Sequence, residues 1–291
     1  MPEPGCTAEA FAAAAERVAR FRGRVVVVKL GGSAMEDPAA TDACLRSVVA
    51  LQRVGVHVVL VHGGGKPIDR AMADAGLTPR KVAGRRYTDD ATLEIVVRVL
   101  HEINRAICQR LESLGVNATA YDAADWFPLS GEKLSLPGLD LQPIDLGRVG
   151  TINEVRLTAF DDDLGPWSHV PVIPSLALDA DGGWLNVNAD TAASALAGAL
   201  EADKAIFLTD TPGVLRDRSN PASLLPRLTA AECRDLIARG VIDGGMVPKV
   251  EACFEALDAG AKAALILDGR VPFSLLDVFL KDTFTGTEIS R

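Results

Sequence analysis

An apolar run that ends in a lysine and two glycines constrains this sequence more than any other feature. Residues 25–33 read VVVVKLGGS, and four consecutive valines are typical of a strand buried on both faces. Lys29 interrupts the run near its end, and Gly31 and Gly32 follow where a helix would begin. Open α/β sheets bind ligands beyond the carboxyl ends of their strands. The stretch predicts either a phosphate site or a lysine that reaches solvent from a tight turn.

The same order of strand, glycines and helix recurs twice. HVVLVHGGGKP occupies 57–67 and IDGGMVPKV occupies 242–250. Glycine-rich turns before a helix expose backbone N–H groups near the positive end of the helix dipole, which favours bound anions. GGGKP is not a Walker A loop, because Pro67 stands where the Ser or Thr would be. Lys249 follows a proline suited to a first helical turn, which predicts a second lysine at a helix N-terminus.

Hydrophobic periodicity divides the chain into alternating strands and helices. It predicts helices over 7–22 and about 41–54, and a long helix within 84–115 that has Thr88 as its N-cap. Further buried strands are predicted within 169–178, 204–215 and 261–269. At least five buried strands alternate with helices, so we expect the α/β class, with a mainly parallel sheet and helices on both faces. Short alternating pieces over 121–174 predict hairpins, as a lid or edge region between two lobes.

Composition excludes several classes of function. The net charge of −9 argues against nucleic acid as the main partner, and no apolar run approaches the 18 residues that a membrane span needs. The five cysteines are scattered and form no CxxC pair, which predicts neither a disulfide framework nor a zinc site. The N-terminus carries Glu3, Glu9 and Glu16 without an early basic region, which argues against a targeting peptide. We therefore expect a cytoplasmic protein.

Polar side chains cluster around an alanine-rich stretch, WLNVNADTAASALAGAL, over 184–200. In an extended segment Asn186, Asn188 and Asp190 would share a face, although Asp190 alone could be a plain N-cap. Arg85 and Arg86 could hold a carboxylate by a bidentate fork or form a solvated turn. His62 could be a base, but a strand-end histidine is more often structural.

Three glycine-rich turns, two lysines and one aspartate suit phosphoryl transfer, in which positioning and charge stabilisation dominate. The sequence offers no nucleophile–base pair and no metal cluster. The lack of an obvious base favours a carboxylate acceptor, which is already ionised at neutral pH.

These motifs, taken in order, resemble the amino acid kinase family. The resemblance covers about 25–269 and rests on KLGGS, VLVHGGGK, GRRYTD, DLGRVGTI, LNVNAD, FLTDTPGVL and GGMVPKV. It implies a three-layer αβα sandwich and an enzyme that transfers the γ-phosphoryl group of ATP to the side-chain carboxylate of N-acetyl-L-glutamate. Mg²⁺ would be held mainly by phosphates and water, with no metal-ligating protein residue.

The resemblance also implies roles for individual residues. Lys29 and Lys249 would neutralise the transferring group, and Asp190 would hold both lysines. Acceptor binding would fall to the following residues: Gly64, Gly65, Arg86, Asn186 and Asn188. The nucleotide and its phosphates would contact the following residues: Gly31, Gly32, Asp210, Thr211, Gly213, Leu215, Gly244, Gly245 and Met246.

Two departures keep alternatives open. Lys66 stands where many family members have proline, and RRYTD with Tyr87 is similar to the lysine-pathway relative that phosphorylates carrier-bound aminoadipate. A non-catalytic sensing subunit on the same fold is a further alternative, although the retention of both lysines and the aspartate argues against it.

The expected organisation has three parts. Residues 1–23 would form an N-terminal helical extension, 24–183 an acceptor-binding and dimerisation lobe, and 184–291 an ATP-binding lobe. The predicted N-terminal helix resembles the family branch that forms hexamers. We therefore expect a homo-oligomer, either a dimer or a hexamer joined through this helix.

Overall fold

Strands and helices alternate along the chain in the computed structural model, which describes residues 7–137, 143–160 and 167–291, without the side chains of residues 33, 34 and 143. The strands are β1 Val25–Leu30, β2 His57–His62, β3 Lys81–Val82, β4 Arg85–Arg86, β5 Ala118–Ala120, β6 Leu129–Lys133, β7 Leu136–Pro137, β8 Pro143–Ile144, β9 Gly150–Val155, β10 Val170–Pro174, β11 Leu176–Leu178, β12 Trp184–Asn186, β13 Lys204–Thr209, β14 Arg227–Thr229, β15 Ala264–Asp268 and β16 Thr287–Ser290. The helices are α1 Ala8–Ala19, α2 Gly32–Glu36, α3 Pro38–Arg53, α4 Gly65–Asp74, α5 Asp90–Ser113, α6 Ala189–Ala199, α7 Ala230–Ala238, α8 Val247–Ala259 and α9 Ser274–Leu280. Short 3-10 turns cover Ala124–Trp126, Leu157–Phe160, Pro221–Ser223 and Gly244–Met246.

The main sheet has eight described strands in the order β14-β16-β15-β13-β1-β2-β10-β5. Neighbouring strands from β15 to β5 are parallel, whereas β16 runs antiparallel to β15. The predicted α/β class with a mainly parallel sheet is confirmed. The sequence reading missed β16, because a four-residue strand with polar positions gives no apolar run and is held by backbone pairing to β15.

The sheet separates two apolar layers. Val27 of β1 packs with the cluster that includes α4, α6 and α8, whereas Val26 and Val28 pack with the cluster that includes α1, α3 and α9. Successive side chains of a strand point to opposite faces, so a continuous valine run fills both layers. The result is the expected three-layer αβα sandwich.

Three predicted helix boundaries shift in the structure. The helix predicted over 7–22 ends at Ala19, and the one predicted from about residue 41 begins at Pro38 after an Asp37 cap. The predicted Thr88 N-cap is wrong, because the Asp89 carboxylate caps α5 by accepting from the Thr92 N–H. Thr88 is buried, and its backbone is already paired with the segment around Gly147.

The region predicted to form hairpins contains antiparallel pairs. β6 pairs with β9, β7 pairs with β8, and a second sheet runs β12-β11-β6-β9. Residues 138–142 and 161–166 of this region lie outside the described residues, as do residues 1–6 of the predicted extension. None of the described helices has the length and apolar character needed to cross a membrane.

Candidate active site

Strands β1 and β2 bring two of the three predicted glycine turns to one edge of the sheet, whereas the third, at Gly244–Met246, follows α7 and not a strand. β1 lies between β2 and β13, and Leu30 is in register with His62 on one side and with Leu208 on the other. The backbone after β1 passes so close to β13 that a Cβ at Gly31 would lie 2.3 Å from the Leu208 carbonyl oxygen. Glycine is therefore required at residue 31 to bring the turn against β13.

Lys29 and Asp190 meet at this edge. The Lys29 Nζ lies 2.7 Å from the Asp190 Oδ1, and both side chains are largely buried. The approach is too oblique for a hydrogen bond, since the Asp190 Oδ1 has no hydrogen-bond partner among the described residues. Lys29 is thus held at this edge of the sheet by the charge of Asp190.

The three polar residues around the start of α6 make different contacts. Asn188 caps the helix, because its side chain accepts from the Asp190 N–H at 2.7 Å. Asp190 is therefore not the N-cap but a first-turn residue whose carboxylate reaches Lys29. Asn186 donates to the Thr88 hydroxyl at 3.0 Å. The extended alternation that we expected through Asp190 is interrupted, since helical backbone begins at Ala189.

A cavity of about 310 Å³ opens between the first two glycine turns and the start of α6. Its walls include most of the predicted acceptor and phosphate residues: Lys29, Gly32, Gly64, Gly65, Arg86, Asn186 and Asn188. Ser175 and Val149 also line it and were not predicted, and so does Arg85, which the sequence offered with Arg86 as a possible carboxylate ligand. We call this space the acceptor cavity.

Arg86 is the best-anchored cation in the wall of the acceptor cavity. Its Nη1 donates to the Asp69 carboxylate at 2.5 Å, and its Nη2 donates to the Gly65 carbonyl at 3.1 Å. Only 12% of its side chain is exposed. Both contacts come from α4, so the guanidinium is oriented before any ligand arrives.

A second cavity of about 400 Å³ lies beyond β13 and beside the start of α8. It brings together the predicted nucleotide residues Asp210, Thr211, Gly213, Leu215, Gly245 and Met246, along with Lys249. Gly244 lies in the adjoining turn and is not part of the wall. We call this space the nucleotide cavity.

Sequence reasoning missed Arg218, Val241, Ile242 and Asp243 in the nucleotide cavity. Arg218 and Asp243 form an ion pair at 2.5 Å across its rim. Asp243 directly precedes the third glycine turn, and this position was the available signal. Val241 and Ile242 could not be recognised from the sequence, because they look like any other apolar pair in it.

One predicted relationship is wrong. Asp190 was expected to hold both lysines, but the Lys249 Nζ lies 3.4 Å from the Asp210 carboxylate and 3.4 Å from the Gly245 carbonyl. Among the described residues, the ion pair of Asp190 is with Lys29. Lys249 starts from the first turn of α8, where the end of β13 offers the nearer carboxylate.

A third cavity of about 360 Å³ adjoins the first. Arg85 lines both, and Thr151, Thr191 and Glu255 line the third cavity alone. Burial raises the pKa of Glu255 above its usual value, and the Arg85 charge opposes that rise. In the described part of the chain, no three His, Cys, Asp or Glu side chains cluster as protein ligands of a metal would.

The comparisons with known proteins agree on one family. Residues 24–268 match the model of the amino acid kinase family. The acetylglutamate kinase of Pelotomaculum thermopropionicum is 40% identical over 296 residues that cover all of both chains. That of Gloeobacter violaceus is 40% identical over 98% of this chain and 93% of its own.

Solved structures share the fold at lower identity. An N-acetylglutamate synthase from Neisseria gonorrhoeae, complexed with coenzyme A and L-arginine, matches with a TM-score of 0.78 and 22% identity. The match covers 97% of this chain and 65% of that longer chain. A carbamate kinase from Giardia lamblia bound to AMP-PNP matches with a TM-score of 0.62 and 18% identity, over 92% of this chain and 99% of its own.

Proposed function

Because the chain belongs to the amino acid kinase family, we propose that it transfers the γ-phosphoryl group of ATP to the side-chain carboxylate of N-acetyl-L-glutamate. The product is N-acetylglutamyl 5-phosphate, an acyl phosphate for arginine biosynthesis. The observation that carries this proposal is about 40% identity to acetylglutamate kinases over the full chain. The Lys29–Asp190 pair, which lies at the edge between the two cavities, supports it.

The acceptor cavity is the proposed site of N-acetylglutamate. Its Arg86 guanidinium would form a bidentate pair with the α-carboxylate, for which a planar fork of donors is well suited. Asn186 and Asn188 would contact the acceptor with their amides, and the Gly64 and Gly65 N–H groups would face its side-chain carboxylate. The side chain of the acceptor is long enough to bring its carboxylate toward Lys29.

The nucleotide cavity is the proposed site of ATP. Asp210, Thr211, Gly213 and Leu215 would form one wall around the nucleoside, while Gly245 and Met246 would form the other, with Gly244 in the adjoining turn. Gly31 and Gly32 would receive the phosphates from the adjacent end of β1. The family uses ATP, and the contacts of each residue with it are our assignment.

Lys29 and Lys249 are the proposed charge stabilisers. Negative charge on the γ-phosphoryl oxygens must be balanced in the transition state, and preorganised cations do this without rearrangement. Asp190 would hold the Lys29 ammonium in place. The acceptor carboxylate is already ionised, so the reaction needs no general base.

We propose that Mg²⁺ binds together with ATP. The residues fit an ion held mainly by phosphates and water, because the nearby Asp210 and Asp243 are engaged by Lys249 and Arg218. When bound, the ion would offset phosphate charge.

We propose that the two lobes meet within the main sheet, with 24–183 binding the acceptor and 184–291 binding ATP. β1, β2, β10 and β5 come from the first lobe, and the remaining strands of that sheet come from the second. Residues 1–23 would be an extension.

We also propose a cytoplasmic homo-oligomer, either a dimer or a hexamer joined through α1. Phe11 supports the second form, since it lies on this helix with 69% of its surface exposed. Cys44, Cys108, Cys233 and Cys253 are free thiols, as a reducing compartment would keep them. Sizing the intact chain against one that lacks residues 1–22 tests the role of α1.

The deciding experiment measures ATP consumption with four acceptors side by side: N-acetylglutamate, glutamate, aspartate and N-acetylaminoadipate. The proposal expects N-acetylglutamate to be phosphorylated with the highest kcat/KM. Turnover of free glutamate without its acetyl form would overturn it. A preference for N-acetylaminoadipate would favour the lysine-pathway activity, and no turnover of any acceptor would favour a sensing subunit.

A further inference from the structure

His62 ends β2 directly before the glycines that line the acceptor cavity, and it is completely buried. Each ring nitrogen faces an oxygen atom. The Nδ1 lies 3.1 Å from the Gly63 carbonyl, and the Nε2 lies 3.0 Å from the Asn104 Oδ1. The Asn104 amide is oriented in turn, because its Nδ2 donates to the Tyr121 carbonyl at 3.3 Å.

The contact between His62 and the Gly63 carbonyl affects the acceptor cavity because it sets the orientation of the peptide bond between Gly63 and Gly64. A planar trans peptide directs the Gly63 carbonyl and the Gly64 N–H in opposite directions. A carbonyl that points at the buried ring therefore turns the Gly64 N–H away from the ring, on the residue that lines the cavity. No backbone acceptor among the described residues takes that N–H, so it is available to a ligand.

The ring has a choice of proton positions. A neutral imidazole carries one N–H and satisfies one of the two oxygens, whereas a doubly protonated ring satisfies both. Burial lowers the pKa of His62 to about 4, while the contacts with Gly63 and Asn104 oppose that change. Such a histidine is a poor general base at neutral pH, which leaves orientation of the Gly63 carbonyl as the chemistry that its position offers.

We propose that His62 is a positioning residue for phosphoryl transfer, with an Nδ1–H that donates to the Gly63 carbonyl and thereby directs the Gly64 N–H at the acceptor carboxylate. The inference rests on the proposed function, since it takes the acceptor cavity as the site of that carboxylate. Asn104 holds the ring from α5, so His62 acts through the backbone and not by touching substrate.

Two substitutions separate this role from a merely structural one. The amide nitrogen of His62→Asn takes the approximate place of Nδ1, whereas that of His62→Gln takes the place of Nε2. We expect His62→Gln to lower kcat by up to about 10²-fold, as a misdirected group can. We expect His62→Asn to recover most of that loss. The KM for ATP should stay constant in both, because Gly63 and Gly64 do not line the nucleotide cavity.

Wild-type turnover of N-acetylglutamate tests the proposed function in the same assay. Failure of the proposed function can therefore be distinguished from failure of the His62 proposal. Equal kcat for the two variants at matched thermal stability would overturn the His62 proposal. So would better activity in His62→Gln.

A spectroscopic test does not depend on turnover. The chain has four histidines, so ¹⁵N-histidine labelling gives few ring signals, and the His62→Asn spectrum assigns the one that disappears. With ADP and N-acetylglutamate bound, we expect a protonated Nδ1 at His62. An unprotonated Nδ1 in that complex would contradict the proposal.

Discussion

The Lys29 ammonium lies 2.7 Å from the Asp190 carboxylate, and this contact joins the end of β1 to the first turn of α6. The lysine reaches the acceptor cavity, while the aspartate stands behind it. A cation that is fixed before substrate binds does not have to be reorganised during the reaction.

Lys29→Ala should lower kcat roughly 10²–10³-fold, as removal of one preorganised charge from a transition state does. The KM for N-acetylglutamate should change far less. Steady-state kinetics measures both values. Lys262→Ala is the matched control, because Lys262 is a half-exposed lysine paired with Asp203 at 3.5 Å and should not affect turnover. A Lys29→Ala enzyme with near-normal kcat and only a raised KM would refute the assignment.

Lys249→Ala should likewise lower kcat roughly 10²–10³-fold. Because Lys249 is paired with Asp210, Asp210→Asn should produce a smaller loss, since the ammonium remains but its anchor is weaker. Comparing kcat for the two variants at saturating ATP checks this order. If Asp210→Asn proved the more damaging change, the carboxylate would have a role of its own.

Arg86→Gln should act mainly on KM for the acceptor. A carboxylate fork remote from the transferring group stabilises ground and transition states alike, so its loss leaves kcat nearly unchanged. Hydrogen bonds to a charged group contribute about 1.5–3 kcal/mol, which predicts a KM increase on the order of 10- to 150-fold. Acceptor titration measures it, with the exposed Arg98→Gln as control. Unchanged acceptor dependence with lost turnover would be the contrary result.

Gly31→Ala should destabilise the fold, whereas Gly32→Ala should not. A Cβ at residue 31 meets the Leu208 carbonyl oxygen at 2.3 Å, while one at residue 32 meets nothing within 4 Å. Overpacking of this kind costs about 1–3 kcal/mol, and alanine in the first turn of α2 is favourable. Thermal unfolding of the two variants checks the contrast. Equal melting temperatures would mean that the loop after β1 moves to accommodate the methyl group.

The described cysteines should resist thiol reagents in the native protein. Burial raises the pKa of both Cys44 and Cys108 to about 12 and that of Cys233 to about 11, so the reactive thiolate is scarce at neutral pH. Mass spectrometry after alkylation should find these peptides unmodified until denaturant is added. Rapid native labelling of Cys44, which is buried with 5% of its surface exposed, would indicate local opening of α3.

The sequence was sufficient to predict which loops form the site, but not which side chains and backbone segments pair with each other. Valine runs that end in glycines reveal strand ends, and parallel pairing brings such ends to one edge, so Lys29 and Gly64 could be grouped in advance. The Lys249–Asp210 pair depends on how α8 is placed against β13, which local spacing does not record. The Asp89 cap and β16 were missed for a similar reason, since pairing with distant backbone decided both.

The strand order β2-β1-β13 sets the distance between the loops that lead into the two cavities. The acceptor cavity begins after β2 and the nucleotide cavity after β13, with one intervening strand. Adjacent strands lie about 4.8 Å apart, so backbone pairing fixes the two loop origins at roughly 10 Å. Side-chain changes in either cavity can therefore alter affinity without altering this gap, and acceptors of different length must adapt to a fixed distance.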